Sequence, residues 1–131
     1  MVGVIVITHG DFGERLLNAA FGITGKQEQC WALSLLPGEG REHLREKIDT
    51  IIGQGGEFII LVDMFGGTPS NVCLPYLKKE KIEVVTGLNL PLLISVLNHR
   101  GNKPLADMGE EAARTAQESI MNLRKKFGGR L

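Results

Sequence analysis

The run Phe58-Ile59-Ile60-Leu61-Val62, and the similar run VGVIVI at positions 2–7, leave the chain few choices. Both are apolar, rich in β-branched residues and too short for a buried helix. Such a segment is stable as a strand only if both of its faces are covered, as they are inside a parallel sheet flanked by helices. Weaker strand patterns fall at 30–36 (CWALSLL) and 82–86 (IEVVT).

Helical periods separate these strands. Leu16, Leu17, Ala20 and Phe21 form one stripe within 11–23, which Gly25 ends. Leu44, Ile48, Ile51 and Ile52 form another within 41–52. Thr68-Pro69 reads as a helix start with Thr as N-cap and Pro at the first helical position, and Asn89-Leu90-Pro91 reads similarly. After a polar connector at 102–107, Met108, Ala112, Ala116, Ile120, Leu123 and Phe127 predict one long helix over 108–127. Strand–helix alternation of this kind predicts an α/β fold: a doubly wound, mostly parallel sheet of four to five strands with helices on both faces, in a single domain over 1–131.

Lys and Arg total 15, as do Asp and Glu, so the formal net charge is zero and no basic excess marks a nucleic-acid partner. The cluster Arg124, Lys125, Lys126 and Arg130 reads as cations near a helix C-terminus. No apolar run approaches the roughly 20 residues that span a bilayer, and the first apolar run lacks a basic leader. Cys30 and Cys73 lack metal-site spacing, and with Trp31 they read as packing residues. A cytoplasmic protein with reduced thiols, no metal and no cofactor is expected.

In an open parallel sheet, ligands bind beyond the carboxyl ends of the strands, near a switch in strand order. The residues there are Thr8-His9-Gly10, Pro37-Gly38-Glu39-Gly40, Asp63 through Thr68, and Gly87-Leu88-Asn89. The titratable pair in this set is His9 with Asp63. A 2-1-3-4 strand order would make them neighbours. The carboxylate would then fix the imidazole tautomer and leave the other ring nitrogen free to attack. Gly66, Gly67, Thr68 and Ser70 form a candidate anion site, since glycines admit a ligand close to the main chain and a helix start favours negative charge. Thr8 and Gly10, beside His9, complete the phosphoryl-binding set. His43 and His99 read as solvated. No nucleophile elbow, Walker lysine or G-x-G-x-x-G occurs.

Four motifs, ITHGD, LLPGEG, LVDMFGGTPSN and TGLNLP, stand in order at successive strand ends. Together they resemble the IIA component of the mannose-family sugar phosphotransferase system. The resemblance implies a homodimer that exchanges an edge strand. It also implies a phosphotransferase that takes a phosphoryl group from phospho-HPr onto His9, with Asp63 orienting the ring and Thr68 at the helix start. The group passes to a IIB component, expected on a separate chain, and from there to a sugar entering through the membrane permease. Two other readings are a regulatory IIA-like module that signals by its phosphorylation state, and a histidine phosphatase. The second lacks the arginine of an R-H-G motif, because Thr8 stands in its place.

Overall fold

A computed structural model describes residues 1–130. In chain order the strands are β1 (Gly3–His9), β2 (Cys30–Leu35), β3 (Phe58–Val62) and β4 (Ile82–Thr86). They form one parallel sheet in the order β2-β1-β3-β4. The helices are α1 (Phe12–Thr24), α2 (Arg41–Ile52), α3 (Thr68–Cys73), α4 (Leu90–His99), α5 (Leu105–Ser119) and α6 (Leu123–Phe127), and a 3₁₀ segment, Leu74–Lys78, continues α3.

The uninterrupted apolar runs are explained by burial on both sides. Val4 and Val6 of β1 enter one core with Ile59, Leu61, Leu92, Leu93, Met108 and Ala112, drawn from β3, α4 and α5. Ile5 and Ile7 enter the other with Ile60, Val62, Leu44, Ile48 and Val72, drawn from β3, α2 and α3. Successive side chains of a strand point to opposite faces, so a doubly covered strand needs an apolar residue at every position.

β1 runs further than the 2–7 segment predicts. Thr8 and His9 pair with Ser34 and Leu35 of β2, so His9 is the last residue of the strand. α3 begins one residue earlier than a Thr68 cap would have it. Gly67 holds the extended N-cap conformation (φ −83°, ψ 170°), and Thr68 is the first helical residue. The Asn89 cap is present: its side-chain oxygen accepts from the Leu92 N–H at 3.0 Å.

The single helix expected over 108–127 is two helices. α5 begins at Leu105, inside the expected connector, and ends at Ser119; Ile120 is extended (φ −87°, ψ 113°) and Asn122 caps α6. The apolar stripe continues in sequence, but the sheet does not continue beneath it. Ala116 is 7% exposed, whereas Ile120 and Leu123 are 79% and 63% exposed. Past Ala116 the apolar positions of the stripe are exposed, so little burial holds the helix in one piece.

Arg100, at the end of α4, is buried. Its guanidinium donates to the carbonyls of Val2, Glu28 and Gln29, the Gln27 side chain and the Cys30 sulfur. It ties the start of β1 and the lead-in to β2 to the α4 terminus. His99 is half-buried rather than solvated, with Nδ1 2.8 Å from the Ser95 carbonyl oxygen. His43 is exposed, beside Glu39.

Candidate active site

The strand order makes β1 and β3 neighbours, with Ile7 opposite Val62. Asp63 follows at once, and His9 lies two residues beyond Ile7. The Asp63 Oδ2 atom accepts twice from His9: from its main-chain N–H at 2.9 Å and from ring Nδ1 at 2.7 Å. Oδ1 accepts from the Met64 N–H at 2.9 Å. A carboxylate only accepts, so it holds the ring proton on Nδ1 and leaves the Nε2 lone pair open.

The Asp63 side chain is 10% exposed and that of His9 46%. Burial works against the Asp63 charge, but the donors from His9, its nearby ring and the Met64 N–H outweigh it and hold the carboxyl below its ordinary range. A carboxylate so stabilised is ready to balance positive charge on the ring.

The outer edge of the ring lies against the turn before α3. A Cβ added to Gly67 would be 2.7 Å from His9 Cε1 and 3.1 Å from Nε2. Glycine is needed there for space, whereas Gly66, at φ +91°, is needed for conformation. Gly10 also lies in the left-handed region, at φ +63°, with open space where a side chain would project. The Thr68 hydroxyl makes no hydrogen bond among the described residues, and Thr68 is half-buried at the start of α3.

Two expected phosphoryl ligands are turned away. Thr8 is fully buried; its Oγ1 donates to the Gly10 carbonyl and accepts from the Gly13 N–H, each at 3.1 Å. Ser70 is 3% exposed; its Oγ accepts from the Gly66 N–H at 2.9 Å and donates to the Gly67 carbonyl at 3.1 Å. Strand alternation carried the signal for Thr8, because neighbours His9 and Thr8 must face opposite sides of the sheet. Thr8 faces α1, and it supplies the bond that Asp11, the N-cap by position, does not make.

Exposed apolar side chains follow the ends of β1, β2 and β3. Phe12, Leu36, Met64 and Phe65 are 45–73% exposed. A shallow depression of about 400 Å³ runs from His9 and Gly10 over Leu36 to Pro37, Gly38 and Glu39.

A family model described as the PTS system fructose IIA component matches residues 3–121. The chain belongs to the IIA family of the sugar phosphotransferase system, in its fructose/mannose branch. Members of this family are phosphoryl-transfer components of sugar uptake. The chain is 32% identical over 124 residues to a fructose-specific EIIA component of Bacillus subtilis, an alignment covering 92% of this chain and 85% of the relative. It is 33% identical to a mannose-specific EIIAB component of Escherichia coli, covering 95% of this chain but 40% of the relative's length. A crystal structure of an EIIA component from Streptococcus agalactiae superposes with a TM-score of 0.89 at 25% identity, covering 95% of this chain and 99% of that one. The IIA fold thus accounts for the sheet order and for the α/β architecture read from the sequence. No helix among the described residues is long and apolar enough to cross a membrane.

Proposed function

We propose that His9 is the phosphoryl acceptor of this IIA protein, taking the group from phospho-HPr and passing it to a IIB component during sugar uptake. The observation that carries the reading is the 2.7 Å contact between His9 Nδ1 and Asp63, which leaves Nε2 at the open edge of the ring. In the loading step the Nε2 lone pair forms a bond to phosphorus as the donor's bond to phosphorus breaks, and the electron pair leaves with the donor. The ring gains positive charge, which Asp63 balances, and the Nδ1 proton stays in the hydrogen bond. Gly10, Gly66, Gly67 and Thr68 line the space for the phosphoryl oxygens, with the free N–H groups at the α3 start and the Thr68 hydroxyl as donors. Unloading to IIB is the same step reversed, on a different partner.

The exposed apolar rim suits this role, because patches of this kind mark protein-binding surfaces. Both partners work in the cytoplasm, and the reading places this chain there as a single domain. The test is incubation with phosphoenolpyruvate, enzyme I and HPr. An acid-labile adduct is expected on the wild-type chain and none on His9→Ala; labelling that persists in His9→Ala would sink the assignment.

The same reading includes a homodimer. Its support is the outer edge of β4, which pairs with no other strand among the described residues. Beside that edge lies a hollow of about 510 Å³ between β4 and α5. Ile120, Met121 and Leu123 stand exposed nearby in sequence, and the family resemblance supplies strand exchange as the means of covering them. Light scattering on the full chain should give twice the monomer mass, and a monomer at tens of micromolar would refute it.

A further inference from the structure

We propose that Thr8 and Ser70 are positioning residues for phosphoryl transfer: two buried hydroxyls that fix, from opposite faces of the sheet, the main-chain walls on either side of the His9 ring. The inference rests on His9 being the phosphoryl acceptor.

The two hydroxyls do the same thing at two strand ends. Thr8 Oγ1 gives its proton to the Gly10 carbonyl and takes one from the Gly13 N–H. Ser70 Oγ gives its proton to the Gly67 carbonyl and takes one from the Gly66 N–H. With a donor and an acceptor bond committed to the main chain, neither is oriented toward a ligand. Two of the peptides they hold lie beside His9. Gly10 follows His9 directly, and Gly67 comes so near that a Cβ on it would be 2.7 Å from His9 Cε1.

Both braced turns contain a left-handed glycine, Gly10 at φ +63° and Gly66 at φ +91°. Glycine turns are conformationally permissive, so something else must choose the conformation. The hydroxyls make that choice, each by closing a ring of hydrogen bonds across its turn. The Thr8 brace is tight: a Cβ on Gly13 would lie 2.8 Å from Thr8 Oγ1 and Cγ2 and 2.9 Å from Val6 Cγ1. Only glycine at 13 lets α1 begin this close to the strand. Phosphoryl transfer depends on placement to a fraction of an ångström, so loosening either wall acts on the chemical step.

The test uses Thr8→Val, Ser70→Ala and the conservative Thr8→Ser in the full chain, with folding checked by circular dichroism. Transfer from phospho-HPr gives kcat and KM, and ¹⁵N chemical shifts of the His9 ring are measured on the unphosphorylated protein. For Thr8→Val and Ser70→Ala, kcat should fall about 10- to 100-fold, with KM for the donor unchanged within about two-fold and with shifted ring resonances. Thr8→Ser should recover most of the rate and the wild-type resonances. Folded Thr8→Val and Ser70→Ala proteins with wild-type kcat and unmoved ring signals would overturn the proposal. So would a raised KM at constant kcat, which would move the hydroxyls to the docking step. If Thr8→Val does not fold, Ser70→Ala decides, because Ser70 braces the other turn, from within α3. If the wild-type chain takes no label on His9, the acceptor assignment fails, and the ring shifts still report whether the hydroxyls hold the imidazole.

Discussion

Substituting Gly67 by Ala isolates the role of the wall beside His9. The φ of Gly67 is −83°, which any residue adopts, so the added methyl strains no dihedral. Its effect is steric and falls on one neighbour. The methyl would sit 2.7 Å from His9 Cε1 and 3.1 Å from Nε2. Carbon atoms in contact sit about 3.5 Å apart, so the ring must recede by about 0.8 Å. It cannot do so freely, since Nδ1 is held by Asp63 at 2.7 Å. Either that bond lengthens or the α3 start moves outward, and both spoil the alignment of Nε2. A misplacement near 1 Å costs about 100-fold in rate. The stability cost is smaller: alanine is a poorer N-cap than glycine by about 0.5–1 kcal/mol, or roughly 2–4 °C in Tm. Gly66→Ala is the control, because its φ of +91° penalises alanine although nothing lies within 4 Å of the new methyl. It should lose about 1–2 kcal/mol of stability with the smaller loss of rate. Single-turnover transfer from phospho-HPr, with calorimetric melting alongside, measures both quantities. A Gly67→Ala protein that transfers at the wild-type rate and keeps the His9–Asp63 hydrogen bond would refute the reasoning.

Asp63→Asn should lower the transfer rate by about 10²- to 10⁴-fold, because a neutral amide neither fixes the tautomer nor balances the charged ring; rapid-quench labelling tests it. Because the folded Asp63 carboxyl sits below its ordinary value, the unfolded chain binds the more protons in acid. The stability it contributes is full above about pH 4 and is lost as pH falls through the folded value. Urea denaturation against pH should therefore show a shallower acid limb for Asp63→Asn than for the wild type. Arg100→Ala strips donors from the carbonyls of Val2, Glu28 and Gln29. It should cost about 2–4 kcal/mol in chemical denaturation while leaving the His9 ring resonances in place. Tyr76 donates to Asp49 at 2.6 Å, linking the segment after α3 to α2. Tyr76→Phe should cost about 1 kcal/mol in the same assay.

Local pattern and the rules of parallel sheets were enough to bring His9 and Asp63 together at the strand ends. FIILV and VGVIVI could be satisfied only in central strands, and central parallel neighbours bring their carboxyl ends together. His9 and Asp63 followed from that, although 54 positions separate them. The directions of the hydroxyls were less legible. Thr8 and Ser70 stand beside glycines in motifs that look built for anions, and only strand alternation and the depth of the α3 start turn them inward. The break at Ile120 was invisible to periodicity, because the apolar spacing persists after the sheet has ended beneath it. Arg100 gave no signal at all. Its burial depends on residues 2 and 27–30 converging on the end of α4, a coincidence of three dimensions.

The doubly accepting oxygen of Asp63 also sits where the β1–β3 ladder would otherwise run out. Beyond Ile7 and Val62 the main-chain pairing ends, and the His9 amide is held by a side chain instead. The ring contact and the last rung between β1 and β3 therefore share one atom. Opening of that rung and release of the imidazole from Asp63 are coupled, while β2 still holds the other side of the strand end. Hydrogen–deuterium exchange at the His9 amide would then act as a gauge of the competent fraction of molecules, readable without any donor present. Loss of that one rung would free the His9 ring while β1 stays paired with β2.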